Sequence, residues 1–285
     1  MKFCIVGTGR CGTRLLRGML NAHPDLFVFN ETHWIANFYE VFGTAKVPVG
    51  DLLDVMQRTR FVDGSRTTEI DMEAFKAAQN GKSMMTPAAF SDAVGLFFAA
   101  EEGKTLWADK TPDYGYCASM LQLYWPDCRI IHLIRDGARV ARSMAQHPGY
   151  RALVAHGRQH WGPLSIDFRG FSGREQEVDR SDFVDLWYRR LLRIRNESER
   201  LKPGSYLEIR HEDVIADPAG TLRTIADFTD LRSDETWLRT ASDHFDAKKI
   251  SRPRPVGILK CFRPRHLALM RELGYKTDLP ERREC

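Results

Sequence analysis

The chain opens on Lys2-Phe-Cys-Ile-Val-Gly-Thr-Gly-Arg-Cys-Gly-Thr-Arg-Leu-Leu16. An apolar run from Phe3 to Val6 reads as a buried strand. A loop with three glycines follows, Gly7, Gly9 and Gly12, and then a helical pattern with Leu15, Leu16, Met19 and Leu20 on one side. Glycines let consecutive backbone N–H groups curl towards one anion without a Cβ clash. The helix behind the loop adds unsatisfied N–H donors and the positive end of its dipole. Strand, loop and helix start together predict a phosphate-binding loop at the front of an α/β domain.

The spacing approaches the nucleotide P-loop, G-x-x-x-x-G-K-[ST], and departs from it at one place. Gly7 and Gly12 fit, but Thr13 follows Gly12 directly and no lysine intervenes. The long cations stand at Arg10 and Arg14 instead. A kinase or ATPase places that lysine on the β- and γ-phosphates and the next hydroxyl on magnesium. The loop can grip a phosphate without the parts that ATP chemistry needs.

Working outward, Pro24 ends the first helix, and Leu26 to Phe29 reads as a second buried strand. It runs into Asn30-Glu31-Thr32-His33-Trp34 and a helix from Ile35 to Phe42. Parallel strands joined by a right-handed crossover would put Glu31 and His33 on the edge that carries the glycine loop, where open α/β sheets bind ligands. Residues 43 to 103 carry three helical patterns and no catalytic pattern, consistent with a helical insertion. Thr105 to Ala108 reads as a strand leading to Lys110-Thr-Pro112, with a helix from Pro112 to about Tyr124. The run up to Ile134 is a strong buried strand. It breaks at Arg135-Asp136-Gly137, and a helix carrying Val140, Ala141, Ser143 and Met144 follows. Residues 147 to 180 read as irregular and basic. Phe183 to Leu201 is an amphipathic helix, Ser205 to Ile209 a strand, Arg210 to Pro218 a turn and Ala219 to Leu231 a helix. Beyond lies a basic, proline-stiffened loop with Lys248, Lys249, Arg252 and Arg254.

The 285 residues are enough for one large α/β domain, and no linker or low-complexity tract divides them. The expected fold is an α/β, P-loop-like three-layer arrangement with a central, mostly parallel sheet flanked by helices. It would form one domain over 1–285 with an insertion at about 43–103. A net charge of +4 suits an anionic small ligand and falls short of the basic stripe of a nucleic-acid binder. Six cysteines show no C-x-x-C pair and no zinc spacing, so reduced thiols and no metal site are expected. With no leader pattern and no apolar run of membrane length, the expected compartment is the cytoplasm.

Four stations, in this order, resemble the sulfotransferases that use 3′-phosphoadenosine 5′-phosphosulfate (PAPS). Arg10-Cys11-Gly12-Thr13 is similar to that family's loop for the 5′-phosphosulfate. Ile134-Arg135-Asp-Gly-Ala-Arg-Val-Ala-Arg-Ser143 is similar to its 3′-phosphate segment, with a serine eight residues after the arginine. Glu31-Thr-His33-Trp34 resembles the glutamate-x-histidine-aromatic segment of the carbohydrate O-sulfotransferases, whose glutamate is the base. Asp109-Lys110-Thr-Pro112 resembles the lysine-bearing segment of the same branch. A softer match runs from His211-Glu-Asp213 to Pro218.

The resemblance implies Arg10, Cys11, Gly12, Thr13, Arg14, Arg135, Ser143 and Arg252 as donor-binding residues. It implies Glu31, His33, Arg10 and Lys110 as the catalytic set: Glu31 as general base, His33 orienting it or replacing it, Arg10 and Lys110 on the leaving oxygen. The implied reaction is metal-independent sulfuryl transfer from PAPS to a hydroxyl on a glycan, a lipid or a small metabolite, with the carbohydrate branch favouring a glycan or glycolipid. Three departures stand out. Arg10 stands where many members have lysine, although bacterial members often carry arginine. His211 replaces the tyrosine that can contact adenine, and Lys249, Arg252 and Gly257 only loosely replace the family's C-terminal Arg-Lys-Gly segment. A divergent P-loop kinase of a small molecule and a non-catalytic nucleotide-binding module are the competing readings. The missing Gly-Lys-[ST] argues against the first, and the presence of Glu31 and Lys110 against the second.

Overall fold

Phe3–Gly7 forms β1, buried at every residue, as a strand covered on both faces must be. Its side chains alternate between two cores. Phe3 and Ile5 join one cluster, and Cys4 and Val6 join the other. The computed structural model describes residues 1–79, 81–161, 165–167, 177–243 and 255–277.

The other strands are β2 (Leu26–Val28), β3 (Val47–Pro48), β4 (Met84–Met85), β5 (Leu106–Lys110), β6 (Arg129–Ile134) and β7 (Tyr206–Arg210). The helices up to residue 145 are α1 (Thr13–Asn21), α2 (Trp34–Phe42), α3 (Val49–Arg58), α4 (Met72–Ala78), α5 (Pro87–Glu101), α6 (Ala118–Tyr124) and α7 (Gly137–Ala145). After them come α8 (Pro148–Ala155), α9 (Arg180–Ser198), α10 (His211–Ala216), α11 (Pro218–Thr229), α12 (Glu235–Asp243) and α13 (Pro264–Glu272). Helices α1, α7, α9 and α11 contribute to the core on one face of the sheet, and α2, α3, α5 and α6 to the core on the other. The result is the expected three-layer α/β arrangement.

The main sheet runs β2-β5-β1-β6-β7, and each of its pairings is parallel. β2 therefore does not lie beside β1. β5 sits between them, with Leu26 opposite Leu106 and Cys4 opposite Asp109. The chain leaves the sheet after β2, builds α2 to α5 and the short β3–β4 pair, and returns in the gap. This order decides the site, because it sets the end of β5 directly between the end of β2 and the loop after β1.

Several local readings change. The helix expected from Pro112 is a 3-10 turn, Pro112–Tyr116, broken at Cys117 before α6. α9 packs so closely there that a Cβ on Gly115 would lie 2.6 Å from Ile194 Cγ1. The stretch from 211 to 218 is not a turn. It forms α10 and then α11, whose start is capped by the Asp217 side chain accepting from Gly220 N–H. The segment after 147 is not wholly irregular, since His147 caps α8 and Pro148 stands at its first position. α9 begins three residues before Phe183 because Asp179 and Asp182 form a reciprocal capping box. Lys248, Lys249, Arg252 and Arg254 lie outside the described residues.

Among the described residues no helix is long and apolar enough to cross a membrane. None of their His, Cys, Asp and Glu side chains group in threes or more where they could hold a metal ion.

Candidate active site

The loop after β1 is built from left-handed residues. Gly9 has φ +77°, Arg10 +56° and Gly12 +104°. The curl leaves α1 starting at Thr13 with no side-chain cap, so its first N–H groups are open to an anion. Two rings clamp the loop. A Cβ on Gly9 would lie 1.5 Å from the Tyr150 hydroxyl oxygen, and one on Gly12 would lie 2.2 Å from His211 Nδ1. Only glycine meets both the backbone angle and the close approach at these two positions. The Cys11 side chain turns into the core, so any ligand contact it makes runs through its backbone.

Three cationic or hydroxyl side chains converge beside this loop. Arg10 Nε donates to Ser143 Oγ at 3.1 Å, and Arg135 Nη1 donates to the Arg10 carbonyl at 3.3 Å. Arg135 Nε is buried and has no partner among the described residues. Burial lowers the Arg135 pKa, while the nearby Glu212 carboxylate works in the opposite direction. His211 is buried, and neither ring nitrogen has a partner among the described residues. Burial first, then the charges of Arg135 and Arg139, push its pKa down to about 3. The ring facing Gly12 is therefore a neutral imidazole.

The opposite wall is formed where β2 and β5 end. Lys110 Nζ lies 2.5 Å from Glu31 Oε1, and His33 Nε2 lies 3.7 Å from Glu31 Oε2. Glu31 (φ +65°) and His33 (φ +52°) are both non-glycine residues in the left-handed region. That conformation costs of order 1–3 kcal/mol per residue and persists only where the surroundings impose it. Here the surroundings are a set of hydrogen bonds to the neighbouring turn. Thr32 N–H donates to Thr111 Oγ1 at 3.0 Å, Thr32 Oγ1 and the Tyr114 hydroxyl are 2.7 Å apart, and Ile35 N–H donates to that hydroxyl at 3.1 Å.

Burial alone would raise the Glu31 pKa. The nearby His33 ring and the Lys110 ammonium outweigh it and hold the carboxyl far below its ordinary range. Lys110 is wholly buried, and burial lowers its pKa against the opposing pull of Glu31. The beneath-lying Asp109 carboxyl is raised by burial.

These walls enclose a cavity of about 440 Å³ lined by Arg10, Gly12, Thr13, Arg14, Glu31, Arg135 and Ser143 among others. Seven of the sequence-predicted residues thus meet in one space. Lys110 does not line it and stands behind Glu31. His33 lines an adjoining slot of about 80 Å³, which shares Glu31 with the cavity and has Phe61, Val62, Leu153 and Trp161 among its walls.

Sequence reasoning missed the slot and its supports. Asp113 pairs with the buried Arg190 and accepts from Trp161 N–H at 2.5 Å. Arg190 also donates to Gln159 O at 2.8 Å and lies over the rings of Tyr116 and Tyr150, 5.1 and 5.4 Å from their centroids. His147 lines both spaces, and its Nδ1 accepts from Gly149 N–H at 3.1 Å. The His147-Pro148 pair was the one signal available, a helix cap followed by proline.

Residues 3–235 match the sulfotransferase family. Over 144 residues the chain is 32% identical to the omega-hydroxy-beta-dihydromenaquinone-9 sulfotransferase Stf3 of Mycobacterium bovis, and equally to that of Mycobacterium tuberculosis. That match takes in 49% of this chain and 33% of each relative, about a third of the relatives' length. The sulfotransferase domain from the curacin biosynthetic pathway has the same fold. Its TM-score is 0.53 at 16% identity, covering 96% of this chain and 97% of that one.

Proposed function

The chain belongs to the sulfotransferase family, and from that premise we propose that it transfers the sulfuryl group of PAPS to a hydroxyl acceptor. The observation that carries this is the single cavity of about 440 Å³ with an anion-holding wall and a carboxylate wall. The open N-terminus of α1, Arg10 and Arg14 hold the 5′-phosphosulfate. Arg135 and Ser143, which line the same cavity, hold the 3′-phosphate. PAPS supplies the sulfuryl group and a bisphosphate leaving group.

Glu31, on the facing wall, accepts the acceptor's hydroxyl proton. A depressed carboxyl pKa makes a weak base, but a strong one is not required. The hydroxyl becomes strongly acidic as its oxygen bonds to sulfur, so the proton moves late and downhill. Lys110 keeps Glu31 ionised until that moment, and His33 holds the other carboxylate oxygen in place. Arg10 stabilises the charge growing on the departing oxygen, a role whose loss costs about a hundredfold or more in rate. The step uses no metal ion. The acceptor is an alcohol of small-molecule or lipid type, and the hydroxylated dihydromenaquinone for which the mycobacterial relative is named supports this. A cytoplasmic location fits the five free cysteines among the described residues.

A thermal-shift screen with 3′,5′-bisphosphoadenosine, ATP–Mg and AMP tests the reading. Ligand at a hundredfold its Kd adds about 2.7 kcal/mol of stability. For a chain of 285 residues that is a rise of about 4–5 °C. Stabilisation by ATP–Mg and not by the bisphosphate would refute it.

A further inference from the structure

The slot beside Glu31 identifies the kind of acceptor. It shares Glu31, Phe61, Val62, Pro112, His147 and Tyr150 with the donor cavity, so a molecule that fills it can present its reacting hydroxyl to Glu31. Its apolar walls are Phe61, Val62, Leu153 and Trp161, and the polar side chains of His33, Asp113, His147 and Tyr150 share the lining. Leu153 and Trp161 are buried side chains, and the Trp161 ring nitrogen is committed to the Arg60 carbonyl at 3.1 Å. The polar groups nearby are largely engaged elsewhere. Asp113 is held by Arg190 and Trp161 N–H, and His147 Nδ1 by Gly149 N–H. His33 Nδ1 is buried with no partner among the described residues, while its Nε2 faces Glu31 Oε2 at 3.7 Å.

One hydroxyl is therefore well received at the slot's mouth, by Glu31 with His33 beside it. Deeper in the slot further hydroxyls would lie against Phe61, Val62, Leu153 and Trp161 and against an Asp113 whose oxygens are already taken, so they would be buried without partners. We infer that the acceptor is a monofunctional alcohol whose hydroxyl sits on a slender apolar alkyl or aryl body, and that this body is held by the Phe61–Val62–Leu153–Trp161 slot. This rests on the sulfuryl-transfer reading above. In the step, the acceptor oxygen–sulfur bond forms as sulfur's bond to the bridging oxygen breaks. The electron pair stays with the bisphosphate, and the hydroxyl proton passes to Glu31. Leu153 sets how much of the apolar body fits, because it lines the slot and not the donor cavity.

The test supplies PAPS with primary alcohols from ethanol to 1-octanol, 2-phenylethanol, D-glucose and N-acetylglucosamine, and follows release of the bisphosphate. The expected kcat/KM rises about fourfold for each methylene that enters the slot and then levels off once it is full. The sugars are expected to stay at least a hundredfold below the best alcohol. Leu153→Ala moves the optimum to longer or branched alcohols and Leu153→Phe to shorter ones. Both variants keep the thermal shift given by the bisphosphate. Turnover of sugars at the rate of the alcohols, or of no alcohol at all by protein that the bisphosphate stabilises, overturns the assignment. So does an optimum that neither Leu153 variant moves. Absence of any bisphosphate shift brings down the donor reading and this assignment with it.

Discussion

Replacing Glu31 by glutamine separates two roles of one carboxylate. In the native protein the Lys110 ammonium is wholly buried, and Glu31 Oε1 lies 2.5 Å from it. The amide keeps the shape and leaves that charge uncompensated. Removing one partner of a buried ion pair costs about 3–5 kcal/mol. Glu31 retains 31% exposure towards the cavity, so the low end, about 3 kcal/mol, applies. A 285-residue chain unfolds with about 0.6 kcal/mol/K of entropy, which makes the expected fall in Tm about 5 °C near neutral pH.

The pH dependence follows from the lysine. Burial lowers its folded pKa and Glu31 raises it, so losing Glu31 lowers it further. A folded pKa below the unfolded value of about 10.4 means that the unfolded chain binds more protons in between. Stability then rises with pH through that window. The deficit of Glu31→Gln is expected to shrink between pH 7 and 10. Turnover is expected to drop at least a hundredfold, while the bisphosphate-induced thermal shift persists. Adding Lys110→Met should restore most of the Tm and none of the turnover. Thermal melts at pH 7 and 9.5, with initial rates of bisphosphate release, read all of this. Native Tm and native turnover in Glu31→Gln, or a deficit that widens with pH, would refute both the coupling and the base assignment.

Arg135→Ala is expected to weaken bisphosphate binding about ten- to a hundredfold by titration calorimetry, the worth of a hydrogen bond to a charged group. Unchanged affinity would remove Arg135 from the 3′-phosphate. Gly9→Ala places a Cβ 1.5 Å from the Tyr150 hydroxyl oxygen and forces alanine to φ +77°. It should lower both Tm and turnover, and Tyr150→Ala in the same chain should recover part of each. No recovery would mean that Tyr150 does not clamp the loop. His211, with a folded pKa of about 3 against about 6.5 unfolded, contributes stability that is present above pH 6.5 and lost as pH falls towards 3. His211→Phe should flatten that limb of the Tm–pH curve, and an unchanged limb would contradict the neutral ring facing Gly12.

The donor wall was legible because its signals are short-range. Gly9 and Gly12 announce left-handed backbone, and Arg135 with Ser143 spans one strand-to-helix junction. Those are properties of neighbouring residues, which turn stereochemistry and helix periodicity express directly. The order of strands is not. Nothing local in Leu26 to Val28 or in Leu106 to Lys110 says that β5 enters between β1 and β2. α8 escaped for a related reason. Its stretch is short, and it is stabilised as a helix by a histidine cap and by packing against the donor loop.

What the sequence by itself determined is the phosphate-holding loop, the second cationic junction, the absence of the ATP lysine and a parallel α/β sheet. Tertiary structure alone decided which of those parts meet. Glu31 and Lys110 are 79 residues apart, and Arg10 and Ser143 are 133 apart. The slot is assembled from five stretches that share no pattern, around His33, Phe61, Asp113, Leu153 and Trp161. Such pairings are selected by burial and charge compensation across the folded core, whose contacts form only when distant segments are brought together. The residues that hold the donor could therefore be read from the chain, whereas the shape that selects the acceptor could not.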